Sequence, residues 1–331
     1  MRDSLLTRSS VRVLLGVVIS AVFVVATLAR VDLGEVGLAI GKVQPAGLVL
    51  AIALVFVELA IRAARWRVLL VAIRDVPFRT AAAYLSIGYF ANSLLPARLG
   101  DVARAFLAGR AFGMPRVTVL GTILVERLAD GFAILAIVGL LGLSLASGGS
   151  LATAALWLVG LAAVGGAGLV ATLIYVRGSG GGRVRLTIGA LLDRLVQGMV
   201  ALRTPTGALT TVALTFVAFG VAVATFAIVA AATSLDLTLA QAAFAMGGVA
   251  LSTSVPAAPG SIGTYEFVGT TILVGLGVSP ETALVTIVLV HLIATIPPAL
   301  LGLGAAWRLH FRVGEIAADA APGSLVNEAE G

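Results

Sequence analysis

Six long apolar runs restrict this chain to architectures that are built inside a lipid bilayer. The runs cover residues 13–29, 45–61, 117–145, 152–176, 207–232 and 281–306. A helix needs about twenty apolar residues to cross the hydrocarbon core, and it satisfies its own backbone hydrogen bonds there. We therefore expect an all-α polytopic integral membrane protein with about six full spans.

Composition supports this class and excludes several others. The 331 residues are 60% hydrophobic and only 11% charged, which is too little charge for the surface of a soluble domain. The net charge of +6 comes from arginines between apolar runs, so we assign it to cytoplasmic loops and not to nucleic-acid binding. The chain has no cysteine and two histidines, and we expect neither a metal nor a cofactor.

Loop charges orient the runs, because cytoplasmic loops of membrane proteins are enriched in arginine and lysine. The arginine-rich loops, which we assign to the cytoplasm, are residues 62–79, 98–116, 177–203 and 307–312. The loops without arginine, which we assign to the outside, lie near Asp32–Glu35, Ser147–Ser150 and Ser234–Asp236. This assignment predicts an inner-membrane protein with both termini in the cytoplasm.

Two broken segments depart from simple crossing. Both ends of residues 80–112 lie beside arginine-rich loops, so this segment is predicted to enter and return as a re-entrant pair broken at Pro96–Gly100. A second re-entrant pair would consist of 239–255 and 264–277, broken at Pro256–Gly263, although three full crossings satisfy the same charges. Paired Gly/Pro interruptions in two halves are typical of inverted repeats with a transport site near the midplane.

The predicted domain organisation is a single transmembrane domain, 1–312, followed by a disordered acidic tail, 313–331. Its halves, about 45–145 and 207–306, would be joined by an amphipathic cytoplasmic segment at 177–206. Apolar residues there follow helical spacing from Ile188 to Leu202. Such a helix lies either on the inner membrane surface or against the protein itself.

The first broken segment carries charges that suit a lipid phosphate. Arg98, Asp101 and Arg104 are spaced by three and share one face of a helix that starts near Gly100. A guanidinium fork matches a phosphate, and a helix N-terminus adds free N–H groups. Asn92 lies close by in sequence. Alternatively, the two arginines are ordinary cytoplasmic charges with Asp101 as their partner.

Glu126, Arg127 and Asp130 lie inside a predicted span, where each charge costs about 2.5–3.5 kcal/mol on insertion scales. A network with Arg98 or Arg104 would neutralise them and extend the phosphate site. The alternative is that this part of the run is wetted at the interface. Glu58 precedes Arg62 by four residues, and we expect a structural pair there.

The second broken segment offers a smaller set of polar groups. Pro259, Gly260 and Gly263 are predicted to launch a helix that carries Tyr265 and Glu266. Glu266 would pair with an arginine of the first half, and Tyr265 would line the same cavity. His291 is a candidate proton relay, with a hydrogen bond to a backbone carbonyl as its simpler role.

Four sequence patterns occur in an order that we can compare with a known family. They are RAARW at Arg62–Trp66, GYFANSLLPARLGDVARAFLAGR, VERLADG at Val125–Gly131, and PAAPGSIGTYEF. Together they resemble the transmembrane region of lysylphosphatidylglycerol synthases, whose stand-alone members are described as flippase-like. The resemblance implies functional roles for Asn92, Pro96, Arg98, Gly100, Asp101, Arg104, Glu126, Arg127, Asp130, Pro259, Gly260, Gly263 and Glu266. Ser261 stands where the family often has a second glycine.

The resemblance implies a lipid translocase, because in full-length synthases the membrane part is implicated in flipping the lipid that a soluble domain makes. Expected partners are membrane lipids, either anionic or aminoacylated phospholipids or a polyprenyl phosphate. A lipid-modifying enzyme, a glycosyltransferase or a second copy of the chain is a candidate protein partner. The alternatives are a membrane enzyme that uses Asp101 or Glu126 as a base, and a non-catalytic scaffold. The sequence contains no Walker, HExxH or GxSxG motif.

Overall fold

The computed structural model describes residues 18–95, 99–145, 183–253 and 258–311, and this part of the chain contains helices and no strands. In chain order, helices α1 to α11 are Val18–Leu28, Leu33–Gly41, Pro45–Val71, Phe78–Leu94, Leu99–Phe112, Arg116–Leu145, Arg183–Gln197, Pro205–Ala232, Leu239–Ser252, Thr264–Gly275 and Pro280–Arg308. Two 3₁₀ helices, Val200–Arg203 and Pro259–Ser261, complete the described elements. The all-α prediction is confirmed.

Three described helices, α3, α8 and α11, are long and apolar enough to cross a membrane by length and composition. They match the predicted runs that begin at residues 45, 207 and 281. Helix α6 matches the run at 117–145. The run at 152–176, the start of the run at 13–29 and the tail at 313–331 lie outside the described residues. The protein is a multi-pass α-helical membrane protein.

Hydroxyl side chains fix the starts of three second-half helices, α8, α9 and α11. Thr204 caps α8 by accepting a hydrogen bond of 3.1 Å from the Gly207 N–H, and Ser279 caps α11. Proline stands at the first position of both helices, where its missing N–H leaves no donor unpaired. Thr238 starts α9 with a capping box. These caps set where the apolar runs become helices.

Two segments that were predicted to be loops are helical, so these predictions are wrong. Helix α3 continues ten residues past the apolar run at 45–61, so Arg62 and Arg65 lie within the helix and not in a cytoplasmic loop. Arg65 is only 1% exposed, because carboxylates inside the protein pair with it. Asp32 caps α2 and Glu35 lies in its first turn, so this predicted outer loop is also a helix.

The first broken segment folds back on itself. Helices α4 and α5 pack side by side, with the Tyr84 and Phe112 rings 5.2 Å apart between centroids. At the base of the pair, Arg74 Nη1 donates to the carbonyl oxygen of Gly113 at 3.3 Å. The chain thus returns to the end from which it started, as predicted for a re-entrant pair.

Gly100 is not part of the break, contrary to prediction. It lies in the first turn of α5, and its N–H donates to Asn92 Oδ1 at 2.8 Å. A Cβ at Gly100 would collide with the Gly88 carbonyl oxygen and with Asn92, so glycine is required for the close approach of α4 and α5. The break falls between Leu94 and Leu99, and Pro96 and Arg98 lie outside the described residues.

The second broken segment is also a hairpin, formed by α9 and α10. Its tip contains Gly260 at φ 70° and Gly263 at φ 87°, which are left-handed conformations that glycine adopts without steric cost. Both glycines therefore break the helix as predicted. Pro259 starts the 3₁₀ helix, and Pro256 lies outside the described residues. Ser261 adopts φ 59° without a glycine.

The two halves pack as an inverted pair. Helices α3 and α8 run antiparallel: Gly47 near the start of α3 faces Ala232 at the end of α8, while Arg65 Nη1 donates to Thr215 Oγ1 at 2.9 Å. The helix contacts repeat when α3 to α6 are matched with α8 to α11. In the first half, α4 packs on α11 and α5 packs on α6. In the second half, the corresponding α9 packs on α6 and α10 packs on α11. This equivalence of contacts supports the predicted inverted repeat.

The turn of the second broken segment packs against the end of α4 in the first broken segment. The 3₁₀ helix Pro259–Ser261 packs on α4, and a Cβ placed on Gly260 would lie 3.9 Å from the Ser93 carbonyl oxygen. Helix α1 contributes as well, since Ser20 Oγ accepts from the Ala258 N–H at 2.9 Å.

The linker helix α7 resolves one of the sequence alternatives. It packs on α6, where Gly198 approaches the Thr118 carbonyl oxygen and Gly121 so closely that neither glycine has room for a Cβ. The amphipathic segment is therefore docked against the protein.

Replacing Gly302 by alanine is expected to destabilise the protein by about 1–3 kcal/mol, because overpacking forces α4 and α11 apart. A Cβ there would collide with the Ser86 carbonyl oxygen and lie 2.7 Å from Phe90 Cβ. Gly304→Ala is the matched control on the same helix, since no described atom lies within 4 Å of its Cβ position. Thermal midpoints in detergent measure the effect, and equal midpoints would contradict the packing argument.

Candidate functional site

Arg65 lies at the centre of a buried ion network between α3 and α6. Its guanidinium contacts both oxygens of Asp130, with Nη1 2.5 Å from Oδ1 and Nη2 3.3 Å from Oδ2. Nη2 also lies 3.5 Å from Glu126 Oε1. Since an intramembrane charge is unfavourable without a partner, this fork allows two carboxylates to remain inside the helix packing.

Arg104 of α5 closes the network from the first hairpin. Its Nη2 lies 2.6 Å from Glu126 Oε2, and both side chains are 1% exposed. Its guanidinium carbon also lies 4.4 Å from the centroid of the Trp66 ring, a cation–π contact. Trp66 Nε1 donates to Thr122 Oγ1 at 3.0 Å. The charged interior is thus enclosed by α3, α5 and α6.

Arg62 and Arg127 form further ion pairs around this centre. Arg62 Nε lies 2.7 Å from Glu58 Oε1, which confirms the expected pair, and Arg62 Nη1 lies 3.4 Å from Asp130. Arg127 Nε lies 3.2 Å from Asp101, and Nη1 lies 3.8 Å from Asp130. Counting Arg65, Arg104, Glu126 and these residues, the described network holds four guanidiniums and four carboxylates and is formally neutral.

A cavity of about 420 Å³ opens beside the network, at the interface between the halves. Its charged lining comes from the first half and consists of Glu58, Arg62, Arg127 and Asp130, while Thr225 and Thr253 of the second half add hydroxyl groups. Its apolar lining includes Val55, Phe219, Phe226, Met246, Ala250 and Val290. Tyr89 and Tyr265 also line it. The cavity therefore presents ionic groups and apolar surface to the same occupant.

The exposure of the arginines decides which of them a ligand in this cavity can reach. The side chains of Arg62 and Arg127 are 15% and 36% exposed, whereas Arg104 is 1% exposed and does not line the cavity. Arg104 and Glu126 thus form the support of the site, while Arg62 and Arg127 face the cavity. Arg98 lies outside the described residues.

A separate polar cluster lies in the second half. His291 Nδ1 is 2.5 Å from Glu266 Oε1, and Glu266 Oε2 accepts from the Gly263 N–H at 2.6 Å. His291 Nε2 is 2.9 Å from the Gly260 carbonyl oxygen, and the Tyr265 ring stacks on the imidazole with centroids 4.1 Å apart. The expectation that Glu266 pairs with an arginine is wrong, because His291 occupies that position. The expected carbonyl contact of His291 is present.

The sequence predicts part of the ion network but not Arg65, which lies at its centre. Asp101, Arg104, Glu126, Arg127 and Asp130 were all predicted, and the structure brings them together. Arg65 was assigned to a loop because the preceding apolar run ends near residue 61. The signal that identifies it is spacing: Glu58, Arg62 and Arg65 recur at intervals of four and three, which is one face of a helix. Asn92 instead holds the first turn of α5.

Replacing Glu126 by glutamine is expected to cost about 3–5 kcal/mol of stability, because Arg104 would remain buried with one carboxylate fewer to balance it. The lowered thermal midpoint in detergent measures this cost. Asp75→Asn is the control, since that side chain is 87% exposed and its pair with Arg67 contributes about 0–1 kcal/mol. Adding Arg104→Gln should recover most of the loss, and failure of this rescue would contradict the pairing.

Comparison with known proteins agrees with the resemblance noted in the sequence. A family model described as "Lysylphosphatidylglycerol synthase TM region" matches residues 13–302. The glycosyltransferase AglD of Haloferax volcanii is 24% identical over 319 residues, covering 83% of this chain and 50% of that protein. The chain therefore spans about half the length of this curated relative. Because the family model covers most of the chain, the protein belongs to the lysylphosphatidylglycerol synthase transmembrane-region family.

Proposed function

We propose that this protein is a lipid translocase of the inner membrane. It would move the headgroup of a phospholipid or of a polyprenyl-phosphate-linked lipid through the cavity between its two halves. The observation that carries the proposal is the lining of this cavity, which combines Arg62 and Arg127 with apolar side chains of both halves. A lipid is the ligand class that presents a phosphate and an apolar chain together.

The two arginines suit a phosphate because each has donors that its carboxylate partners do not fully engage. Their contacts with Asp130, at 3.4 and 3.8 Å, are the longest of the Asp130 contacts in the network. A phosphate between them would form shorter, charge-assisted hydrogen bonds with both forks. Arg65 would then hold Asp130 in place without leaving the interior. Arg98, which precedes α5 in the sequence, is a further candidate ligand.

Movement of the headgroup would follow from the arrangement of the halves. The α3–α8 pair crosses the interface, and the turn of the second hairpin packs against the end of α4, so rocking of one half against the other exposes the site to alternate sides. The lipid chains would remain in the bilayer throughout. Since the sequence has no ATP-binding motif, transport would be downhill or coupled to an ion.

A second candidate function is a membrane component of a glycosyltransferase pathway, which the similarity to the glycosyltransferase AglD favours. In that role the protein would present a lipid-linked substrate to an enzyme partner, with α7 and the adjoining segment as the docking surface. A lipid-modifying enzyme that uses Glu126 as its base is disfavoured, because Glu126 is 1% exposed and is already engaged by Arg65 and Arg104.

Arg127→Gln is expected to lower transbilayer lipid movement about tenfold, because a charge-assisted hydrogen bond to the headgroup is worth about 1.5–3 kcal/mol. The measurement is movement of labelled phosphatidylglycerol, and separately of a labelled polyprenyl phosphate, in liposomes that contain the purified protein. Arg62→Gln should have the same effect. Arg79→Gln is the matched control, since Arg79 is exposed near the start of α4 and does not line the cavity.

Each variant is compared at equal reconstituted amounts and with its thermal midpoint recorded, so that a folding defect is recognised. Movement at the native rate by folded Arg62→Gln and Arg127→Gln would contradict the assignment of the site. Absence of movement of either lipid by the native protein would favour the glycosyltransferase-pathway role, which co-purification with an enzyme would then test.

A further inference from the structure

The contact between Glu266 and His291 fixes how many protons the pair holds. His291 Nε2 lies 2.9 Å from the Gly260 carbonyl oxygen, which only accepts hydrogen bonds, so Nε2 carries a hydrogen. His291 Nδ1 and Glu266 Oε1 are 2.5 Å apart, which requires another hydrogen between them. The pair therefore consists of either a carboxylic acid with a neutral imidazole or a carboxylate with an imidazolium. Both forms are neutral overall.

Loss of the shared proton is incompatible with this geometry. A neutral imidazole has one N–H, so the lone pair of either Nδ1 or Nε2 would face an oxygen at hydrogen-bond distance, at Glu266 or at the Gly260 carbonyl. A net negative charge would also remain at two largely buried side chains, which are 11% and 16% exposed. One of the two contacts of the imidazole is therefore lost when the proton leaves.

The same two residues hold the tip of the second hairpin. Glu266 Oε2 accepts from the Gly263 N–H, and His291 donates to the Gly260 carbonyl oxygen, so the pair brackets the turn at both ends. This turn contacts α4 near Ser93 and lies against α1 at Ser20. Loss of either contact of the imidazole removes one of the two links between α11 and the turn, either directly at Gly260 or through Glu266 at Gly263.

We propose that Glu266 and His291 form a proton-binding site, and that release of the proton opens the tip of the second hairpin. The role of this site in transport rests on the proposed function: the proton is the coupling ion, and the turn of the second hairpin is the part that opens beside the cavity. The proton-binding site itself rests only on the geometry of the pair.

Among the described residues, few other ionisable groups surround the pair. From the packed helices these are Tyr265 of α10, which stacks on His291, Tyr89 of α4, and Glu58 of α3 with its partner Arg62. The described residues of α1 that touch the tip offer Ser20, which does not titrate in the accessible range, and α9 carries no charged residue. Among the described groups at this tip, Glu266 and His291 are the pair that shares a hydrogen.

A cysteine reporter tests the opening directly, because the native chain contains no cysteine. Thr264 is 1% exposed at the start of α10, and its hydroxyl has no hydrogen-bond partner among the described residues, so Thr264→Cys is a mild replacement. Ile262→Cys, at the same tip but at a position that is 58% exposed, is the control for reagent access and thiol ionisation. The readout is the ratio of the two maleimide-labelling rates in liposomes as a function of pH.

The ratio is expected to rise about tenfold as pH increases, because an open state that is normally minor becomes the main one. Glu266→Gln should abolish this rise and keep the ratio low, since an amide donates to Nδ1 and accepts from Gly263 at every pH. His291→Phe keeps a ring against Tyr265 but removes both nitrogens, so its ratio should be high at every pH. A ratio that is flat in the native background, or that rises equally with Glu266→Gln, would overturn the proposal.

Lipid movement measured in the same liposomes separates this proposal from the proposed function. A pH-dependent ratio without any lipid movement would contradict the translocase and leave the proton site standing. Native lipid movement together with a flat ratio would contradict the proton site alone.

Discussion

The contact of Arg65 with Asp130 and Glu126 is the interaction on which the charged interior depends. A guanidinium and two carboxylates buried among membrane helices are each unfavourable alone, and they become tolerable only when one fork satisfies both acids. Arg104 supplies the second cation, so the helix after the first break is tied to α6. Under the proposed function, Arg62 and Arg127 would exchange carboxylate partners for a headgroup while the buried pairs of Arg65 and Arg104 stay in place.

The same centre connects the halves. Arg65 also donates to Thr215 of α8, so the network that neutralises α6 reaches across the interface around which the halves would rock. The antiparallel α3–α8 pair brings this contact and the apolar wall of the cavity together. A further contact between the halves is made where α4 meets the turn at Gly260. A cavity placed between two inverted units is therefore bounded by elements from both, and any relative motion of the halves changes its shape.

The sequence predicts the parts of this fold that depend on composition and local chemistry. Apolar runs identify α3, α6, α8 and α11, and the glycines at 260 and 263 identify a break because only their backbone freedom permits the turn. Gly100 was misread as a break, since a glycine needed for close helix packing looks the same in sequence as one needed for a turn. Arg65 was misread as a loop residue, and Glu266 was paired with an arginine, because the partner of a buried charge is chosen by tertiary packing.

The inverted halves share an architecture and differ in chemistry. In each half, the helix after the break is joined to the next long helix by one polar pair, Arg104 with Glu126 and Glu266 with His291. An arginine keeps its proton under all accessible conditions, so the first pair is permanent. Glutamate and histidine are residue types that can bind and release protons, and the second pair holds the turn that α1 and α4 contact. Two identical pairs would respond alike to a change of pH, whereas this difference would confine the proposed opening to the second hairpin.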